Sequence, residues 1–274
     1  MSAPGTTPPT AATASATAAA AAAADGESKL TFWDHLRELR KRVMYSLYGL
    51  LAGMAVVGSF VERIVDELMK PVLLALPAGA QKLIYTSAIE PMMVYVKVAI
   101  YGGVFVAAPW ILYQLWQFIA PGLYKKEKRV VVPFLFWGTL LFYSGAWFCF
   151  RWVIPAAFPA MLAIAGDATM VPMLSISEQL GLVMALLLGF GVVFEVPVII
   201  AFLSMVGLVS VEFLVKYRRH AMIVNTLLAA VLTPTGDPLN LAMMAVPMCL
   251  FYEIGIILAR FLGKKAPVPG AAPT

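Results

Sequence analysis

What most constrains this chain is a series of long apolar runs that carry no charge or a single acid, each long enough or nearly long enough to cross a lipid bilayer. A hydrocarbon core of about 30 Å takes about 20 residues of helix. Residues 43–61 and 98–123 are uninterrupted, and 130–150 follows after a short basic connection. Residues 179–211 are broken only by Glu195. The last two runs, 221–236 and 238–259, are separated by little more than Thr-Pro-Thr-Gly-Asp-Pro, a turn signal that makes them a helical hairpin. The first of this pair would span only about 24 Å, so local thinning of the membrane is expected there. The predicted fold is all-α: a polytopic membrane protein of six transmembrane helices.

Composition agrees. The chain is 61% hydrophobic and 13% charged, with a mean hydropathy of +0.86, whereas soluble domains carry roughly 25% charged residues. The net charge of +5 does not form a nucleic-acid surface, because the basic residues sit in short clusters between apolar runs. Cys149 and Cys249 each lie in an apolar stretch, so they provide neither a disulfide framework nor a metal pair and read as buried spectators. No cofactor is implied.

Three regions follow. Residues 1–28, rich in Ala, Thr, Ser, Pro and Gly, have little to pack and are expected to form a disordered cytoplasmic leader. The Ala run at 18–24 lacks the basic stretch that precedes a signal-peptide core. Residues 29–263 form the membrane domain, and 264–274 a short cytoplasmic tail.

Lys and Arg set the direction, because short loops rich in them stay on the cytoplasmic side. One side collects Lys29, Arg37, Arg40, Lys41 and Arg42, then Lys125, Lys126, Lys128 and Arg129, then Lys216, Arg218 and Arg219, and finally Arg260, Lys264 and Lys265. The other has Arg63, Lys70 and Lys82. Both termini are therefore expected in the cytoplasm, with 62–91 and 153–178 as ordered caps on the outer face.

The polar groups inside the spans are few. Glu195, in Gly-Phe-Gly-Val-Val-Phe-Glu-Val-Pro, is a functional candidate because a buried acid costs roughly 2.5–3.5 kcal/mol on insertion scales. Its structural alternative is a protonated side chain facing another helix. Lys97 is expected to snorkel to the outer interface and not to pair with Glu195, and Glu253 to pair with Arg260 two turns on. The entrance to the first span, Thr31-Phe-Trp-Asp-His-Leu-Arg-Glu-Leu-Arg-Lys-Arg42, has a capping box in Thr31 and Asp34. Glu38 and Arg42 stand four apart, the spacing of an ordinary surface ion pair. His35 and His220 are the sole histidines and both sit at span ends, and no HExxH motif or phosphate loop is present, so an enzyme is not expected.

At these residues the chain resembles a known family. His35-Leu-Arg-Glu-Leu-Arg-Lys-Arg42 is similar to the N-terminal signature of the TatC family, the multi-spanning receptor subunit of the twin-arginine protein translocase. Ala108-Pro-Trp-Ile-Leu-Tyr-Gln-Leu-Trp-Gln-Phe-Ile-Ala-Pro-Gly-Leu-Tyr-Lys-Lys-Glu-Lys-Arg129 resembles its second span and first cytoplasmic loop. Phe190-Gly-Val-Val-Phe-Glu-Val-Pro197 resembles its fourth span, and Leu232-Thr-Pro-Thr-Gly-Asp-Pro238 with Ala245-Val-Pro-Met its fifth and sixth. The likeness runs in order from about Leu30 to Gly263.

The resemblance implies a glove-shaped six-helix receptor in the bacterial cytoplasmic (inner) membrane. It would bind the Arg-Arg signal peptides of folded precursors and work with TatA- and TatB-type single-span subunits in a hetero-oligomer of several copies. By that match Glu38 and Glu127 would receive the signal's arginines, and Arg40, Phe118, Pro109 and Leu123 would shape the same patch. Glu195 would be the family's intramembrane acid. Thr233 and Asp237 would lie where partner helices dock. The chain departs from the family at Leu241, where members often carry Gln, and in its Ala-rich leader. A carboxylate can take an Arg guanidinium through two parallel hydrogen bonds and a Lys ammonium only as a point charge, so two acids suit two arginines. The rival reading is a proton- or cation-coupled secondary transporter using Glu195, but the inverted repeat usual in such proteins is missing.

Overall fold

The computed structural model describes residues 11–76, 82–119, 131–164, 173–232 and 238–263. Among them helix dominates, and the extended pairing is one parallel bridge between Ile84 and Ser175. The chain divides into Met1–Tyr45 and Ser46–Thr274.

In the first unit, α1 (Ala11–Gly58) begins inside the leader expected to be disordered. Alanine is the best helix former, so such a tract favours helical dihedrals. The capping box expected at Thr31 and Asp34 is corrected by the same helix. Both residues lie within α1, and Asp34 accepts a hydrogen bond from Arg37 at 3.4 Å.

In the second unit the chain turns through 82° between Gly58 and Val61 into α2 (Val61–Ala75). This helix is amphipathic: Val65, Met69 and Val72 are buried, while Glu62, Arg63, Asp66 and Lys70 are exposed. Next come α3 (Glu90–Ile119) and α4 (Val131–Phe148), then a π-helical turn at Cys149–Val153 that leads into α5 (Ile154–Ile164). The third apolar segment is thus helical well past residue 150, and the outer loop expected from 153 starts later. The widened turn, closed by Ile154 N–H donating to Cys149 O, immediately precedes Pro155, which has no N–H to continue an ordinary ladder.

Helix α6 (Ile176–Val206) stops short of the expected residue 211 because Gly207 takes a left-handed conformation (φ 84°) and closes the helix. After α7 (Val211–Lys216) come α8 (Arg218–Leu232) and α9 (Pro238–Leu262).

Helix α6 is the central element, buried along most of its length between α4 and α9. Small residues bring the backbones together. A Cβ built on Gly145 of α4 would stand 2.6 Å from the Phe190 carbonyl oxygen of α6, and one on Gly53 of α1 would stand 2.6 Å from the Gly103 carbonyl oxygen of α3. In a membrane, where lipid tails are as apolar as leucine, such close contact supplies the packing attraction between helices.

Among the described residues four helices are long and apolar enough to cross a membrane: Glu90–Ile119, Val132–Ala163, Ile176–Val206 and Leu241–Leu262. The bent pair α1 and α2 makes a fifth if it is counted as one span. The chain is a polytopic α-helical membrane protein. The expected fifth span corresponds to α8, whose 15 residues extend only about 22 Å.

Candidate functional site

Glu38 and Arg40 lie on α1 in the N-terminal unit. Arg40 is exposed. Glu38 is half-buried and accepts from the Arg42 guanidinium at 3.3 Å, one helical turn on. The pairing read from the four-residue spacing is therefore present.

In the second unit Pro109 and Phe118 are both half-buried on α3. Nine residues apart, they fall about half a turn out of phase on a regular helix, so they occupy different faces. Leu123, Glu127, Thr233 and Asp237 lie outside the described residues. Close to the last two in sequence, α8 and the start of α9 border an open apolar groove of about 460 Å³ lined by Met222, Ile223, Thr226, Leu227, Ala230 and Leu241.

Glu195 is 5% exposed within α6. Its Oε1 is buried without a hydrogen-bond partner among the described residues. The carboxyl lies against Gly138 of α4, where an added Cβ would come within 2.9 Å of Oε2 and 3.3 Å of Oε1. Lys97 does not neutralise it. The Lys97 ammonium donates to Ser177 Oγ at 2.7 Å and to the Ser177 carbonyl at 3.4 Å, at the start of α6, as expected of a side chain directed away from the middle of the span.

Two polar constellations differ from the sequence reading. Glu253 pairs with Arg218 of α8, and not with Arg260 on its own helix. The correction is physical: α8 and α9 pack as antiparallel neighbours, which brings the basic start of one to the later turns of the other, a contact that spacing along one helix cannot reveal. The second constellation is Glu90, which falls within the expected outer cap of 62–91. It is 7% exposed and accepts five hydrogen bonds. Oε2 takes the Thr86 N–H, the Thr86 hydroxyl (2.8 Å) and the Ser87 N–H (3.3 Å). Oε1 takes the Ser175 hydroxyl and the Ser177 N–H (3.1 Å).

Beside this clasp, Ile84 N–H donates to the Leu174 carbonyl at 3.0 Å and Ile176 N–H to the Ile84 carbonyl at 3.2 Å. One carboxylate thus ties the beginnings of α3 and α6 together. Ser87-Ala-Ile-Glu90 has the spacing of a capping box, and that signal could have marked Glu90 as ordered.

Comparison with known proteins extends this picture. Residues 34–247 match the family described as "TatC: Sec-independent protein translocase protein (TatC)". A Sec-independent protein translocase protein TatC of Koribacter versatilis is 39% identical over 238 residues, covering 86% of this chain and 87% of the relative. One from Desulforapulum autotrophicum is 41% identical over 239 residues, covering 87% of each. A crystal structure of the twin arginine translocase receptor TatC superposes with a TM-score of 0.74 at 33% identity, covering 83% of this chain and 99% of that one. The chain, with its apolar helices packed around α6 and its single deeply buried acid in that helix, belongs to the TatC family of Sec-independent protein translocase proteins.

Proposed function

We propose that this protein is the receptor subunit of a twin-arginine translocase in a bacterial cytoplasmic membrane. It binds the Arg-Arg signal peptides of folded precursors at its cytoplasmic face. The observation that carries this reading, within the family, is Glu38: its half-exposed carboxylate already holds a guanidinium, that of Arg42, at 3.3 Å. An incoming arginine can take the same carboxylate by exchange with Arg42, gaining two parallel hydrogen bonds that a lysine cannot make. Glu127 is the second acceptor. Arg40, Pro109, Phe118 and Leu123 shape the patch around them, Pro109 and Phe118 from different faces of α3.

In this reading six spans place both termini in the cytoplasm, α8 crossing a locally thinned bilayer. Residues 1–28 and 264–274 flank the membrane domain as cytoplasmic tails. TatA- and TatB-type single-span subunits dock near Thr233 and Asp237. The apolar groove between α8 and α9, with Leu241 in its lining, suits an apolar helix face. Several copies of each subunit assemble together. Glu195 serves a step after signal recognition. Family membership leaves the secondary-transporter reading of Glu195 without support.

The test is binding of an Arg-Arg peptide and its Lys-Lys counterpart to purified protein in nanodiscs at one salt concentration. Charge-assisted hydrogen bonds are worth roughly 1.5–3 kcal/mol, so Glu38→Gln and Glu127→Gln should each weaken Arg-Arg binding by about tenfold to a hundredfold. Binding of the Lys-Lys peptide should change far less. Unchanged Arg-Arg affinity in both variants refutes the receptor site.

A further inference from the structure

Glu195 is a buried acid whose Oε1 has no hydrogen-bond partner among the described residues, yet its carboxyl has a defined seat. The seat is the bare backbone of Gly138 on α4. A Cβ built at Gly138 would have the Glu195 carboxyl as its three nearest atoms: 2.9 Å to Oε2, 3.3 Å to Oε1 and 3.5 Å to the carboxyl carbon. Seven residues on, the same helix approaches α6 again at Gly145, but there the obstacle is different. A Cβ on Gly145 would stand 2.6 Å from the Phe190 carbonyl oxygen and 2.7 Å from the Phe194 ring. Gly145 therefore permits the helices to touch, since backbone cannot retreat without separating them. At Gly138 the three nearest atoms all belong to the far end of a flexible side chain, which can retreat by rotating its own torsions.

Apolar surroundings close the site on either side. Phe190 and Val193 of α6 belong to one buried cluster, and Val198 and Phe202 pack with Trp116 in another. Between these clusters, a missing side chain on α4 leaves room for the Glu195 carboxyl, and no described residue bonds to Oε1.

We propose that Gly138 is a positioning residue for Glu195: its missing side chain seats the carboxyl between α4 and α6 and holds Oε1 ready for a donor that arrives during transport. The first half concerns geometry alone; the second rests on the proposed use of Glu195 after signal recognition. Replacing Gly138 by Ala fills the seat and displaces the carboxyl while leaving the helix crossing intact. Replacing Gly145 by Ala does the reverse.

The experiment measures how fast an apolar carbodiimide modifies Glu195 in the purified full chain, read by mass spectrometry of the peptide that contains it, with Glu195→Gln as the blank. Thermal stability is recorded for each variant. In Gly138→Ala the rate should rise severalfold with little loss of stability, whereas Gly145→Ala should lose stability. An unchanged labelling rate in Gly138→Ala, or a loss of stability equal to that of Gly145→Ala, overturns the seat.

The transport half is tested in membranes with Gly138→Ala, Glu195→Ala and the double variant. Gly138→Ala should slow transport of an Arg-Arg precursor in the parent chain and have no further effect once Glu195 is Ala, because a seat without its occupant does nothing. Equal fractional losses in both backgrounds would overturn the coupling. Transport undiminished in Glu195→Ala alone would instead sink the proposed role of Glu195 and leave the labelling result to decide the seat.

Discussion

Single carboxylates divide sharply by what surrounds them. Glu90 is surrounded by donors, and removing it leaves hydroxyls and N–H groups of two separate segments unpaired. Losing this network removes the shared acceptor of both segments, so Glu90→Ala should lower the unfolding temperature in detergent and speed hydrogen exchange at 83–89 and 174–177. Equal exchange in variant and parent would show that the clasp contributes nothing. Glu195 is in the opposite situation, with no donor among the described residues to lose at Oε1. Glu195→Gln should therefore insert normally and bind signal peptide as well as the parent does, with any defect confined to transport. A folded Glu195→Gln that fails to bind would contradict the separation of recognition from the later step. Of these two acids only Glu195 stood out in the sequence, because an acid within an apolar run is conspicuous by itself. Glu90 sits among other polar residues, and its importance lies in Ser175 and Ser177, which come close only in three dimensions.

Helix ends and helix crossings were unequally legible. The existence and approximate extent of the apolar helices follow from hydropathy, a property of each segment alone. Their stops depend on local chemistry that hydropathy ignores. Gly207 ends α6 because a left-handed residue is needed to cap it, and the π-helical turn lets the third apolar segment continue past Arg151 to Ile164. Gly207→Ala should cost about 1–2 kcal/mol, the penalty of placing a Cβ in the left-handed region, and should appear as a lower unfolding temperature. Which glycines serve contact was invisible without partners. Gly53 and Gly103 face each other across α1 and α3, with added Cβ atoms coming within 2.6 Å of opposing atoms. Gly103→Val should separate these helices and lower stability by about 1–3 kcal/mol, as overpacking does, whereas Gly58→Val, with open space at its Cβ, should not.

At the scale of the molecule, charge asymmetry predicts direction. Cysteines placed at 29, 126 and 217 should label only from the cytoplasm and those at 80 and 168 only from outside; labelling of 126 from outside would overturn the six-span arrangement. The sequence by itself determined that the chain is a polytopic helical membrane protein of the TatC family, because apolar length and ordered motifs are properties of consecutive residues. It also singled out Glu38 with Arg42, since partners four apart on one helix meet whatever the rest of the chain does. Only the tertiary structure decided that Arg218 holds Glu253, that Glu90 joins α3 to α6, and that the Glu195 carboxyl rests on Gly138. Each of these contacts joins residues on different helices, and their meeting depends on how the helices cross, which close packing of small and large side chains sets.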